Sequence, residues 1–170
     1  RVSRAVFPPS LTLRQFLGKE PETIHLVFTT CSQLLRNSFL AYERRSAVLT
    51  MVDCLNVENR FITSAVETWK DVFRALDDLD ESVAKHTTFG HVVKQLTLKT
   101  VFKDEEEEVF EFLFTSGLGS SVIKIRQLTR LFFMDAIASK RLPAKFAVRL
   151  IESLLRTIGE SESLELQYAQ

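Results

Sequence analysis

Apolar residues recur at intervals of three and four along most of the chain, and this spacing constrains the fold more than any other feature. The spacing is clearest between residues 62 and 76, where apolar side chains fall in one arc of a helix and charged ones fall opposite. The apolar arc contains Ile62, Ala65, Val66, Trp69, Val72, Phe73 and Leu76. Because Trp69 lies in the middle of this arc, we expect its indole to be buried.

Capping residues, prolines and glycines divide the chain into about eight such segments. Helices are predicted to begin near Ser10, Pro21, Ser120 and Pro143, and to end at Gly18, Gly117 and Gly159. We therefore predict an all-α fold of about eight antiparallel-connected helices. Helix pairs of roughly 35 to 45 residues are the size of common solenoid repeats, which favours stacked helix pairs in an irregular α-solenoid. An orthogonal helical bundle is the alternative, since no residue signature recurs at a fixed period.

Four segments give expectations specific enough to compare with a structure. The second predicted helix runs from Pro21 to about Tyr42, and the third runs from about Arg45 to Leu55. Threonines lower the helix propensity between Leu96 and Phe102, so a short strand there is an alternative. In the seventh helix, from Val122 to Ile137, apolar residues surround the axis, which predicts a central and buried helix.

The composition is that of a folded domain that needs no disulfide or metal. With 170 residues, of which 45% are hydrophobic, the chain is long enough to bury a core. Cys31 and Cys54 fit no disulfide framework and no paired zinc-ligand spacing, so we expect an intracellular location, in the cytoplasm or nucleus. No apolar run approaches the roughly 20 residues that cross a bilayer, and membrane insertion is not expected.

The predicted helices delimit one domain. We interpret residues 1–159 as a single helical domain and residues 160–170, which follow the last predicted helix, as a polar C-terminal tail. Because the chain begins at Arg1 rather than at a methionine, we expect this domain to be an excised segment of a longer protein.

No arrangement of residues in the sequence predicts an active site. The three histidines, His25, His86 and His91, belong to none of the metal-ligand patterns. His86 and His91 would lie about 140° apart on a helix, so a shared metal ion would require a break at Gly90. Cys31 lies on the apolar side of its helix, where a cysteine behaves as a small hydrophobic residue. We therefore expect no enzymatic activity, no cofactor and no metal site.

Charge is distributed unevenly along the chain, although its total is zero. The 22 basic and 22 acidic residues argue against a whole-surface attraction to nucleic acid or to an anionic membrane. Between residues 120 and 149, however, seven basic residues accompany a single acidic one, Asp135. On the predicted eighth helix, the basic residues lie opposite an apolar arc that is expected to face inward. That arc contains Ala147, Leu150, Ile151, Leu154 and Ile158.

This local excess of positive charge predicts a basic edge that recognises a partner. The predicted partner-binding residues are Lys140, Arg141, Lys145, Arg149 and Arg156. We predict a non-catalytic protein–protein interaction or scaffold domain that docks an acidic or phosphorylated segment of another protein. The alternative is a helical nucleic-acid-binding domain that uses the same edge, but zero net charge and the lack of interleaved aromatic residues weigh against it. A solvated face without a partner is the structural alternative.

Overall fold

A computed structural model describes residues 21–57, 64–99, 101, 103–153 and 155, and in these residues the secondary structure is helical. The helices are α1 (Pro21–Asn37), α2 (Ala41–Val57), α3 (Ala65–Leu76), α4 (Glu81–Ala84), α5 (Thr88–Leu98), α6 (Glu106–Phe112) and α7 (Ile123–Ala138). A 3-10 turn, Lys103–Glu105, precedes α6, and a π-helical turn, Leu113–Gly117, follows it. Residues 144–153 are also helical and form the C-terminal helix. The predicted all-α class is confirmed for this part of the chain.

Some expectations fall on other residues. The predicted first helix, between Ser10 and Gly18, and the tail of residues 160–170 lie outside the described residues. The described chain divides into two compact units, with Arg1–Arg130 in unit 1 and Leu131–Gln170 in unit 2. The expectation of one domain over residues 1–159 stays a prediction, as does the choice between stacked helix pairs and a bundle.

The core of unit 1 is built around α3, which contacts α1, α4, α5 and α6. Helices α1 and α2 pack along each other, joined by a three-residue turn. Large side chains that are fully buried in this unit include Met51, Leu55, Trp69, Val72, Phe89, Phe110 and Leu113. Each such side chain stabilises the fold by about 1.5 to 3 kcal/mol relative to an exposed position. These buried side chains form the hydrophobic core of unit 1.

The predicted burial of Trp69 is confirmed. Its side chain has no exposed surface, and its Nε1 donates a hydrogen bond to Oγ1 of Thr97 on α5, 3.1 Å away. Ser64 caps α3, since its hydroxyl accepts a hydrogen bond from the backbone N–H of Glu67. Helix α5 continues to Leu98, and the described residues of the 96–102 segment contain no strand. Thr97 therefore lies in a helix despite its low helix propensity, and its hydroxyl accepts the hydrogen bond of the buried indole.

The second predicted helix is too long, because the chain breaks between Asn37 and Ala41. Ser38 explains the break: its hydroxyl accepts a hydrogen bond from the backbone N–H of Leu40 at 3.1 Å and donates one to Glu43 at 2.5 Å. A serine that satisfies nearby polar groups in this way competes with helix continuation. The apolar spacing carries no information about this competition.

The buried residues of unit 2 include aromatic ones in the second half of α7 and at the start of the C-terminal helix. Phe132, Phe133, Ala136 and Phe146 are buried. Pro143 begins the C-terminal helix as predicted, since its carbonyl accepts hydrogen bonds from the backbone N–H groups of Phe146 and Ala147. Among the described residues of this helix, Phe146 is the one whose side chain is fully buried.

Two expectations about burial in unit 2 are wrong. The seventh helix is not buried all round, because Leu131, Met134 and Ile137 are exposed. Ile151, which was expected to face the core, is also exposed, and Ala147 and Leu150 are only half-buried. The large aromatic ring of Phe146 occupies the inward position instead, and this rotates the apolar face of the helix relative to the predicted arc. Leu154 and Ile158 lie outside the described residues.

Candidate protein-interaction surface

Four of the five predicted basic residues are described by the structure, and they lie in unit 2 between residues 140 and 149. Lys140 and Lys145 are exposed, whereas Arg141 and Arg149 are half-buried. Arg156 lies outside the described residues. The predicted edge is therefore uneven in exposure, with two lysines that face solvent and two arginines that lie closer to the protein.

Lys145 and Arg149 are both positioned by Phe146. The Nζ atom of Lys145 lies 5.0 Å from the centroid of the Phe146 ring, and the Cζ atom of Arg149 lies 5.6 Å from it. Cations at these distances are attracted to the face of an aromatic ring. The ring thus attracts both cations, which are four residues apart and lie on the same face of the C-terminal helix.

Lys140 occupies a backbone conformation that is unfavourable for lysine. Its φ angle is 57°, in the left-handed region. The backbone N–H of Lys140 donates to the carbonyl of Ile137 at 3.0 Å, and that of Arg141 donates to the carbonyl of Ala136 at 2.8 Å. These two bonds form a Schellman motif, in which glycine is the usual residue at this position. A lysine that stands where glycine would cost less is a feature that often marks a functional surface.

Exposed apolar residues lie on both sides of these lysines along the chain, and sequence reasoning missed them. We name as the apolar stripes six exposed side chains of unit 2: Leu131, Met134 and Ile137 on α7, and Val148, Ile151 and Leu155 after Pro143. Their exposed fractions lie between 41% and 63%. Within each set the spacing is three or four residues, so each set follows one face of its helix.

A signal for these stripes was present in the sequence. A helix with apolar residues all round its axis is either buried on every side or presents one face to its own core and another to a partner. Single exposed apolar residues are ordinary, but contiguous ones mark interaction surfaces. Within each of the two consecutive helices, the exposed stripe residues are regularly spaced, which favours a face that is presented to a partner.

The buried thiols of unit 1 lack the properties of nucleophiles. Burial raises the pKa of Cys31 to about 11, against a smaller opposing effect of its hydrogen bond with Thr50. Burial also raises the pKa of Cys54 to about 12. Since the thiolate is the reactive form, these thiols are unreactive at neutral pH. Among the described residues, no group of three or more His, Cys, Asp or Glu side chains is placed to hold a metal ion.

A polar groove of about 230 Å³ runs between α1 and α3. At its base lies Asp71, whose carboxylate is 2% exposed and accepts hydrogen bonds from Ser32 at 2.5 Å, Arg36 at 2.9 Å and Arg74 at 2.9 Å. Glu67 extends this network toward solvent, where the hydrogen bond from Lys70, ahead of the contribution of Arg36, lowers its pKa. Because the Asp71 carboxylate already accepts hydrogen bonds from three donors, we interpret the network as a structural link that stabilises the packing of α1 against α3, rather than as a ligand site.

Comparisons with known proteins do not indicate a function for this chain. No family model matches the chain, and no curated protein or solved structure matches it either. In residues 21–57, 64–99 and the described parts beyond them, we find no helix of the length and apolar character needed to cross a membrane. The apolar stripes with their neighbouring lysines are the strongest candidate site.

Proposed function

We propose that the chain is a non-catalytic protein-interaction domain of an intracellular protein. Its docking site is formed by the apolar stripes and by Lys140 and Lys145, and its partner presents apolar side chains together with carboxylates or phosphorylated residues. The observation that carries the proposal is the exposure of six regularly spaced apolar side chains beside exposed lysines. An apolar centre with a charged rim is the usual anatomy of a protein–protein interface.

The lysines are close to the stripes along the chain. Lys145 precedes Val148 by three residues and therefore lies on the same side of the C-terminal helix. Lys140 follows Ile137 by three residues, in the turn that ends α7. The described residues of unit 2 contain four basic residues and two acidic ones, Asp135 and Glu152. This balance favours an acidic partner.

The two kinds of residue have different roles in binding. Burial of the apolar side chains supplies the affinity, because each exposed methylene that is removed from water contributes about 0.8 kcal/mol. The lysines mainly increase the association rate and select the sign of the partner's charge. A nucleic-acid-binding surface is less well supported, since the exposed side chains before Lys140 and after Lys145 include six large apolar ones, whereas phosphate recognition relies on closely spaced cations.

The proposal is tested with a designed peptide that has the expected chemistry. A fluorescently labelled amphipathic helix with leucine on one face and glutamate on the other is titrated with the protein, and binding is measured by fluorescence anisotropy. We expect saturable binding that weakens about tenfold or more in the double variant Met134→Ser/Ile151→Ser, because two apolar contacts are lost. The stripe residues are exposed, so this variant should fold normally.

Leu26→Ser provides a matched control. Leu26 lies on α1 in unit 1 and is exposed to a similar degree, at 66%. We expect this substitution to leave the affinity for the peptide unchanged. Absence of binding, or binding that Met134→Ser/Ile151→Ser does not weaken, would contradict the proposed function.

A further inference from the structure

A second exposed apolar surface lies at two turns of unit 1, and Arg44 ties these turns together. The guanidinium of Arg44 donates from Nε and Nη2 to the two carboxylate oxygens of Asp78, at 2.7 and 2.8 Å, and from Nη1 to the backbone carbonyl of Ser38 at 3.0 Å. The side chains of Arg44 and Asp78 are only 16% and 6% exposed. A shielded, bidentate ion pair of this kind holds its partners in a fixed geometry. The turn between α1 and α2 is thereby fixed beside the turn between α3 and α4.

The two residues that Arg44 binds, Ser38 and Asp78, are each followed directly in the chain by a fully exposed apolar side chain. Phe39 follows Ser38 and is 98% exposed, and Leu79 follows Asp78 and is fully exposed as well. A second interaction fixes the backbone around Leu79, because the Asp78 carboxylate also accepts a hydrogen bond from the backbone N–H of Asp80 at 2.9 Å. Phe39 and Leu79 bury nothing in unit 1, so its own packing gives no reason for them.

The charge around Leu79 is negative. Residues 77–81 contain four carboxylates and no basic side chain. Arg44 compensates Asp78, whereas Asp77 and Glu81 are exposed and Asp80 is half-buried. Near Phe39, Leu40 and Tyr42 are also exposed. We name this surface, formed by Phe39, Leu40, Tyr42 and residues 77–81, the acidic tip.

We propose that the acidic tip of one molecule docks on the apolar stripes of a second copy of this chain. This inference rests on the proposed function, because it names the partner of the same docking site. The tip combines apolar side chains with carboxylates, which is the chemistry that the stripes and their lysines, Lys140 and Lys145, select. Both surfaces are exposed within one chain. Charge complementarity therefore points to a second copy as the occupant.

The proposed contact is heterologous, since it joins two different surfaces. Such a contact either closes, in a reciprocal two-fold dimer or a larger ring, or leaves one tip and one set of stripes unoccupied, in which case association continues into longer chains. The tip contributes few apolar side chains, which places the contact among small interfaces, below about 1,200 Å². We therefore expect weak association that is visible at high protein concentration and weakens as salt rises.

Sedimentation velocity of the whole chain over a range of concentrations tests this inference. A tip variant, Phe39→Ser/Leu79→Ser, keeps functional stripes, and a stripe variant, Met134→Ser/Ile151→Ser, keeps a functional tip. We expect the unmodified protein and the control Leu26→Ser to associate, and each double variant alone to stay monomeric. An equimolar mixture of the two double variants should form a heterodimer and no larger species, because each contributes one intact surface.

Three results would overturn self-docking: a monomeric unmodified protein at every concentration, a double variant that associates alone, or a mixture that stays monomeric. The glutamate–leucine peptide separates this failure from a failure of the proposed function. If the protein is monomeric but binds the peptide through the stripes, self-docking is wrong and the proposed function stands. If it neither associates nor binds the peptide, both are wrong.

Discussion

The indole of Trp69 and the hydroxyl of Thr97 form a buried polar pair between α3 and α5, with Nε1 of the tryptophan 3.1 Å from Oγ1 of the threonine. The threonine hydroxyl in turn donates to the backbone carbonyl of Val93 at 2.8 Å. Both side chains are buried, so water does not replace either bond. The pair therefore specifies how α3 lies against α5, in addition to the apolar packing around it.

Replacing Thr97 with valine should destabilise the protein by about 1 to 3 kcal/mol. Valine keeps the shape of threonine but removes the acceptor that Thr97 offers to the buried indole N–H. Urea unfolding, followed by circular dichroism, measures the loss. In the background of Trp69→Phe, which has no indole N–H, the same substitution should cost clearly less. Equal costs in the two backgrounds would show that the hydrogen bond contributes nothing.

Replacing Gly117 with alanine should also destabilise the protein, by about 1 to 3 kcal/mol, through overpacking. A methyl group at this position would lie 2.4 Å from Oγ1 and 2.8 Å from Cγ2 of Thr129, which is fully buried. Thermal unfolding of the single and double variants is the measurement. Thr129→Ala removes both opposing atoms, so Gly117→Ala should cost less in that background. If it costs the same, the close approach of Gly117 to Thr129 is not what requires glycine.

Replacing Lys140 with glycine should stabilise the protein by about 1 kcal/mol, because the left-handed conformation at this position is costly for every residue that has a Cβ atom. Lys140→Ala is the matched control, since it removes the charge and keeps the Cβ atom. We expect the glycine variant to have a higher melting temperature than both the alanine variant and the unmodified protein. Identical melting temperatures for the two variants would contradict the assignment of backbone strain to Lys140.

The buried thiols predict a loss of stability at high pH. Burial raises the pKa of Cys31 to about 11 and that of Cys54 to about 12, from an ordinary value of 9.0. Above pH 9 the unfolded chain loses these thiol protons while the folded chain retains them, so ionisation favours the unfolded state. The stabilising effect of burial is thus complete below pH 9 and declines as the pH rises toward 11 and 12.

Thiol labelling measures the same property directly. At pH 8 the native protein should react with a thiol reagent much more slowly than the urea-unfolded chain does, because the thiolate is the reactive species. Rapid labelling of two thiols in the native protein would contradict the burial of Cys31 and Cys54.

The sequence predicts those parts of the fold in which one strong pattern decides the outcome. The arc around Trp69 has seven apolar residues in register, and its prediction of a buried indole is confirmed. The break after Asn37 was not predictable from apolar spacing, because it depends on the hydrogen bonds of one serine hydroxyl, Ser38. The helical outcome between Leu96 and Leu98 depended on tertiary contact, since Thr97 is stabilised in a helix by a tryptophan from another helix.

The candidate site was predictable only in part. The chain order alone groups Lys140 with Lys145, and both are exposed. The orientation of the C-terminal helix was mispredicted because the predicted inward arc of small and aliphatic residues did not include Phe146. In the structure the large ring takes the core position, which leaves Ile151 on the surface and brings Arg149 toward the ring. Side-chain volume, which a count of apolar positions ignores, decided between these orientations.

The central claim is that the apolar stripes of unit 2 form the docking surface, and methyl NMR tests it most directly. The protein is labelled at isoleucine and methionine methyl groups and titrated with the glutamate–leucine peptide. The account predicts the largest shift changes at Met134, Ile137 and Ile151, with little change at the buried Ile24 and Met51 of unit 1. Shift changes confined to unit 1, or none at saturating peptide, would contradict it.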